Sequence, residues 1–346
     1  MKHITRTALA AAALLVVGAS LAHASLNVAY QFVGNGNWSI DGVGGNNTPV
    51  GTVSANIPVG ATVQKAFLYS SMSNISGTLS APSVTFEGTN YSGAAWTSLG
   101  NYQPNAAFPN FWLGAYRTDV TAQVAGLAGG GSASLFNWTV NAENPTGNID
   151  GEVLAIIYSL PSEQTRTLAF LDGFSSSTGD ATTINFASPL TAGQLADPNF
   201  QAQLSLGIGF STGGSQSSSV DINVNGNRLT SAAGGADDGS LTNGALITVG
   251  GIGDNPANPL DPNSNNAADD ELYTLNPFLS AGMNSFSILT RNPSLDDNIF
   301  FAGLNITAQA RVNDPPGVPD TGSTLAFLGL TLGALLRFGG RFRRQA

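Results

Sequence analysis

The residues with the greatest capacity for chemistry lie in the second half of the chain. Asp237, Asp238, Asp254, Asp261, Asp269, Asp270, Glu271, Asp296 and Asp297 fall within 61 residues, and Arg291 is the one basic residue among them. The stretch from Gly250 to Glu271 adds Asn255, Asn258, Asn263, Asn265 and Asn266, with three prolines to shape its turns. Hard oxygen donors at irregular loop spacing suit Ca²⁺, which accepts about six to eight oxygens in flexible geometry. The expected ligands are Asp254, Asp261, Asp269, Asp270, Asp296 and Asp297, and Ca²⁺ is the one cofactor the sequence points to. No EF-hand or nonapeptide repeat is present. The alternative is that Asp and Asn simply initiate turns on a solvated acidic surface.

Other chemistries are narrowed by what the chain lacks. Its two histidines, His3 and His23, precede Ser25, and there is no cysteine. From Ser25 onward, Ser-His-Asp and Cys-His nucleophiles, His acid-base work, His or Cys metal ligation and disulfides are therefore excluded. Carboxylates, Lys65 and the tyrosines remain. A glycosidase needs two opposed carboxyl groups, and Glu87, Glu152, Glu163 and the aspartates supply candidates whose separations a sequence does not give. The expectation is a non-catalytic protein; the alternative is a secreted carbohydrate-active enzyme using a carboxylate pair. Trp38, Trp96, Tyr102, Phe108, Phe111, Trp112 and Tyr116 gather in the first half, where they read either as a sugar-stacking face or as core and inter-sheet packing. No Thr-x-Thr ladder or short solenoid period marks an ice-binding face.

The two ends read as addresses rather than as parts of a domain. Lys2 and Arg6 form a basic region, Ala8 to Leu21 an apolar one, and Ala22, His23 and Ala24 a small-x-small site before Ser25, the pattern of a secretory signal peptide over residues 1–24 cleaved between Ala24 and Ser25. Sec-type export machinery and signal peptidase are the implied partners. At the other end, Val318, Pro319, Asp320, Thr321 and Gly322 precede an apolar run from Ser323 to Leu336, then Arg337, Arg341, Arg343 and Arg344. The run would make roughly 21 Å of helix against a hydrocarbon core of about 30 Å, a marginal permanent anchor. The arginines would hold the terminus on the cytoplasmic side. Residues 318–346 resemble the PEP-CTERM class of sorting signals, in the variant with Val-Pro-Asp in place of Pro-Glu-Pro. That resemblance implies processing by an exosortase-type transpeptidase of a Gram-negative bacterium, an inner-membrane-tethered intermediate, and delivery to the cell surface, envelope or extracellular matrix. Proteins of that class tend to accompany exopolysaccharide systems, so a biofilm polysaccharide is the implied ligand. Val318 to Gly322 also matches four of the five positions of the Leu-Pro-x-Thr-Gly sortase signal, the competing reading.

Between these ends the charge is lopsided. From Ser25 to Asp320 the chain carries 22 acidic and six basic residues, a net charge of −16. Nucleic acid is not an expected partner, because phosphate binding needs Lys or Arg to displace counterions. Cations and neutral glycans are compatible with such a surface.

Positioning falls to strands. Short apolar or alternating runs recur between Gly, Ser, Asn and Pro clusters, which predicts an all-β protein. Strands are expected at Leu26–Phe32, Gln64–Ser71, Ser83–Glu87, Ala133–Asn141, Glu152–Ser159, Thr167–Leu171, Leu204–Phe210, Ser219–Val224, Ser285–Thr290 and Ile299–Arg311. Single helical turns are expected at Asp119–Val124 and Asn276–Ser280. Val153 to Tyr158 is apolar on both faces, as in a central strand.

Segments also echo one another. Ala66–Ser70 resembles Gly207–Ser211, and Ser83–Gly88 resembles Ser219–Gly226. Thr118–Val124, Gly131–Phe136 and Asp150–Tyr158 have counterparts in Thr274–Leu279, Gly282–Leu289 and Asp297–Leu304. The expected architecture is β-sandwich, as two tandem jelly-roll-like domains over 25–165 and 166–312, followed by a linker at 313–317 and a C-terminal sorting helix. One large sandwich is the alternative.

Overall fold

The computed structural model describes residues 25–45, 50–74, 79–100, 103–104, 109–110, 112–129, 134–142, 148–175, 177–210, 218–222, 227–233, 246–254, 256, 271–293, 295 and 297–313. The sequence before residue 160 supplies β1 (Asn27–Gly44), β2 (Val50–Asn56), β3 (Thr62–Asn74), β4 (Val84–Phe86), β5 (Thr89–Tyr91), β6 (Thr97–Ser98), β7 (Gln103–Pro104), β8 (Trp112–Asp119), helix α1 (Thr121–Ala128), β9 (Leu135–Ala142) and β10 (Asn148–Ser159). The remainder supplies β11 (Thr165–Asp172), β12 (Asp180–Phe186), helix α2 (Ala192–Ala196), β13 (Ala202–Gly209), β14 (Ser218–Ile222), β15 (Asn227–Ala233), β16 (Ile247–Val249), β17 (Leu272–Thr274), β18 (Ser285–Arg291), β19 (Asn298–Ile306) and β20 (Ala310–Val312). The protein is an all-β sandwich.

Strand β1 ties the architecture together. Its first part, Asn27–Asn35, pairs with β11, and its second, Gly36–Gly44, pairs with β10. One hydrogen-bonded path therefore runs β16-β13-β19-β11-β1-β10-β3-β8-β6. Its two arms fold face to face about β1. Tyr69 of β3 meets Phe300 and Phe301 of β19 with ring centroids 6.0 and 5.1 Å apart, although three strands lie between them along the path. A buried cluster including Ile40, Phe67, Tyr69, Val153, Phe170 and Phe301 fills the seam.

Each arm is covered on its other face. The sheet β2-β9-β4-β5 closes over β10, β3 and β8 around Val53, Leu68, Phe86, Trp138, Leu154 and Ile156. The sheet β15-β14-β18-β12-β20 closes over β11, β19 and β13 around Ile184, Leu204, Phe286 and Leu304. The inner strands are thus buried on both faces, and β10 shows no exposed position from Ile149 to Tyr158. The outer strands β12 and β18 alternate, with one wet face. Apolar runs against alternation is what these two environments select.

Strand order repeats between the halves. The series β1-β10-β3-β8 corresponds to β11-β19-β13-β17, and β2-β9-β4-β5 corresponds to β12-β18-β14-β15. The segments that echo one another in sequence fall on corresponding strands. Backbone proximity at the seam depends on glycine: a Cβ on Gly209 would lie 1.7 Å from Ser71 Oγ, and one on Gly303 2.7 Å from the Trp38 ring.

Among the described residues no helix is long and apolar enough to cross a membrane. The expected signal-peptide residues 1–24, including Ala22 and Ala24, lie outside the described residues, as do Val318, Pro319, Asp320, Thr321, Gly322, Arg337, Arg341, Arg343 and Arg344.

Candidate functional site: the polar seam between the inner sheets

Charged and polar side chains are buried along the seam, and the strand pattern explains how they come to be there. On β11, Arg166, Leu168, Phe170 and Asp172 share one face because side chains alternate. Leu168 and Phe170 fill the middle of the apolar seam, leaving the two charges near its ends. On β3, Phe67, Tyr69, Ser71 and Ser73 form the facing row.

At one end, Asp172 of β11 is held by Arg117 of β8, whose Nη1 lies 2.5 Å from the carboxylate. The Tyr69 hydroxyl donates to the same oxygen at 3.2 Å. The guanidinium also stacks 4.6 Å from the Phe67 ring centroid. Burial raises the Asp172 pKa, and Arg117 and Tyr69 oppose that rise without cancelling it. The same burial, aided by the negative charge of Asp172, pushes the Tyr69 phenol well above its ordinary value. These groups form a latch between the two arms.

Further along, the β10–β3 register slips between Ile149 and Gly151. The extra residue, Asp150, is thereby directed toward β3, where it accepts from the hydroxyls of Ser71 and Ser73 at 3.0 Å each. Burial pushes its pKa up to about 7 against those hydroxyls and the Phe210 backbone N–H. Ser71 Oγ also approaches Asn298 Oδ1 of β19 at 3.4 Å, so this group too bridges the arms. Two residues on, Glu152 lies opposite Ser70 and accepts its hydroxyl at 3.4 Å. Its pKa is pushed up to about 8, chiefly by burial and further by the charge of Asp150. Each of the two carboxyls can hold a proton near neutrality, but both are sealed, with 0% and 1% exposure. A substrate bond flanked by two carboxyls needs access that neither offers here.

At the other end, Arg166 is 6% exposed. Its Nη1 donates to Gln201 Oε1, Asn305 Oδ1 and Thr307 Oγ1 at 2.9, 3.1 and 3.2 Å. Asn305 is itself fixed by donating to Asn37 Oδ1 at 2.9 Å. Burial lowers the guanidinium pKa, while Glu163 and Tyr158 oppose that effect.

The other residues singled out in the sequence fall as follows. Asp254 closes a turn, accepting the Gly251 N–H at 2.5 Å. Asp297 is wholly buried, and its backbone carbonyl accepts Asn292 Nδ2 at 2.8 Å. Asp261, Asp269, Asp270 and Asp296 lie outside the described residues. Among the described residues no three His, Cys, Asp or Glu side chains gather as a metal site. Glu271, with φ of 52°, is buried and accepts the Thr248 hydroxyl. Ser25 anchors the start of the described chain, its carbonyl accepting Asn27 Nδ2 at 2.7 Å. Glu87 accepts the Thr139 N–H at 2.6 Å.

Of the aromatics, Trp96 and Tyr116 are buried, with Trp96 Nε1 donating to the Tyr91 carbonyl at 3.0 Å. Trp38 packs against the seam. Tyr102, Phe108 and Phe111 lie outside the described residues. Arg117 and Arg166 were not among the residues the sequence singles out, and Asp150 and Asp172 figured there only among the aspartates at large. The signal that could have found them is a lone charge bordering a strand's apolar run, since such a charge must be paired or bonded when the strand is central.

The molecule is thus defined by its architecture as an all-β sandwich protein with a polar seam. No protein-family model, curated protein or solved structure matches the chain.

Proposed function

We propose that this protein is exported and acts without catalysis, as a binding or scaffolding component of the cell envelope or of an exopolysaccharide matrix. The observation that carries this reading is the sequence of its ends: a leader closing at Ala22 and Ala24, and a C-terminal Val318–Gly322 motif with an apolar run and four arginines. In this reading, Sec-type export and signal peptidase remove the leader, and an exosortase-type transpeptidase releases the membrane-tethered intermediate to the surface or matrix. Support from the body is chemical. A His- and Cys-free, acidic sandwich whose strongest described carboxyl pair is sealed from solvent is suited to holding shape more than to turnover. The repeated strand order supports reading the halves 25–165 and 166–312 as tandem jelly-roll-like units. Calcium belongs to the same reading, with the segment from Asp254 to Asp297 supplying oxygen ligands that stiffen the second half.

Processing is tested in the producing cells by Pro319→Ala. The variant should accumulate as a heavier product in the inner-membrane fraction. A mature product of unchanged mass and envelope location would refute it.

A further inference from the structure

Asp150, Ser71, Ser73 and Asn298 are all buried where the two arms close, and their hydrogen bonds balance only when Asp150 carries a proton. Ser71 Oγ lies 3.0 Å from Asp150 Oδ2 and 3.4 Å from Asn298 Oδ1. A serine hydroxyl has one hydrogen to give, and both of these neighbours are acceptors when the carboxyl is ionised. Ser73 donates to the other carboxyl oxygen, Oδ1, at 3.0 Å. Asn298 gains nothing by turning over, because its Nδ2 donates to the Gly114 carbonyl at 3.4 Å and a flipped amide would set Oδ1 against that carbonyl. A proton on Asp150 Oδ2 resolves the conflict. Donation then runs from Asp150 to Ser71, from Ser71 to Asn298 and from Asn298 to Gly114, joining β10, β3, β19 and β8 across the seam. Strand β13 packs directly on this chain: a Cβ on Gly209 would lie 1.7 Å from Ser71 Oγ and 2.4 Å from Asn298 Oδ1.

The surroundings favour the proton over a counter-charge. Facing the carboxyl, β3 offers the hydroxyls of Ser71 and Ser73, and the residue after β13 offers the Phe210 N–H. The ionisable groups nearby are acidic: Glu152 on β10, sealed against Ser70, then the wholly buried Asp297 beside Asn298, and Glu271, which holds the Thr248 hydroxyl of β16. Arg117 of β8 is engaged with Asp172. Among the described residues neither Asp150 nor Glu152 makes an ion pair, so ionising either one places an uncompensated charge in the interior.

We propose that this end of the seam is a proton-operated joint: protonated Asp150 ties β19 to β3 and β8, and loss of its proton turns Ser71 back onto the carboxylate, strands Asn298 Oδ1 and lets the arms part. The proton passes to solvent, and no covalent bond other than its own O–H is broken. Burial pushes Asp150 up to about 7 and Glu152 up to about 8. A raised folded-state pKa makes the closed form the one that binds the proton, so the joint is closed at about pH 6 and open at about pH 9. Glu152, ionising last, acts in the same direction.

Hydrogen exchange of the protein as released by the producing cells tests the joint. It is read by mass spectrometry at about pH 6 and about pH 9, with the intrinsic pH dependence of amide exchange divided out. Protection of residues 70–74 and 112–115 should fall by about tenfold or more at the higher pH, while residues 165–168 and 304–306, at the Arg166 end, keep theirs. Asp150→Asn sets a permanent N–H donor against Ser71 and should stay protected at both pH values. Ser71→Ala breaks the chain and should lower protection at both. Equal protection of residues 70–74 at the two pH values in the native protein would overturn the proposal, as would an equal fall at the Arg166 end. A fall in Asp150→Asn matching that of the native protein would overturn it too. The comparison within the native protein decides the matter without any variant.

Discussion

Two arginines border the same seam, Arg166 buried and Arg117 partly exposed, and they are bonded in opposite ways. Arg117 meets a carboxylate, a phenol and an aromatic face. Arg166 meets an amide from Gln201, an amide from Asn305 and the hydroxyl of Thr307. Both are placed by strand alternation, so the difference lies in what the opposing strand offers. A cation matched by a buried carboxylate is a structural joint, because removing either member strands the other. A cation held only by neutral acceptors carries a desolvation cost without full return.

The contrast breaks most sharply under substitution at the latch. Asp172→Ala leaves Arg117 and the Tyr69 hydroxyl facing each other without their shared acceptor, and should cost about 3–5 kcal/mol in urea denaturation. Pairing it with Arg117→Met should recover most of that loss; no recovery would mean that Asp172 acts through packing alone.

The proton-holding carboxyls between the two ends give a pH signature of similar size. Asp150 has a pKa of about 7 folded against 3.8 for an ordinary aspartate. The folded state therefore binds more protons than the unfolded one across that interval. Its contribution is fully present below about pH 4 and is lost as pH rises through about 7. Glu152 extends the window to about 8. Each pKa unit is worth about 1.4 kcal/mol, so the melting temperature should fall from pH 5 to pH 8, and Asp150→Asn should flatten that fall. A melting temperature that rises across this range would contradict the burial account.

Smaller effects sharpen the same comparison. Gly209→Ala inserts a methyl where Ser71 Oγ already sits, and should cost about 1–3 kcal/mol. Arg166→Met, by contrast with any change at Arg117, should be neutral or stabilising, because it removes a buried charge that has no ion partner. Lys65→Ala, at an ion pair whose Asp119 side chain is half exposed, should change stability by less than about 1 kcal/mol.

Much of the fold was legible in the sequence, and the exceptions have physical reasons. Val153–Tyr158 read correctly as a doubly covered strand, because continuous apolar runs and alternating runs belong to different layers. The first strand was expected to stop at Phe32, since Gly34, Asn35, Gly36 and Asn37 look like a turn. It runs on to Gly44 because the glycines serve a close approach: a Cβ on Gly36 would lie 2.2 Å from the Tyr158 carbonyl. Ile299–Arg311 was expected as one strand, but it divides at Thr307–Gln309 so that β20 can leave β19 and pair with β12. Two full turns replace the single one expected near Thr121, with the Asp119 carboxylate accepting the Thr121 N–H at 2.9 Å.

The site was less legible. Ser71 and Asn298 are 227 positions apart, and Arg166 and Asn305 are 139 apart. Nothing in spacing announces such pairs. They follow only from the two arms folding about β1, a long-range arrangement that periodicity does not encode.

The proposed role is that of a non-catalytic binding component of the cell envelope or of an exopolysaccharide matrix. Retention of the released protein on the producer's own matrix polysaccharide tests it most directly. The account predicts saturable retention of the protein, with the polysaccharide's chain length unchanged after incubation. Absence of retention, or progressive shortening of the polysaccharide, would contradict it.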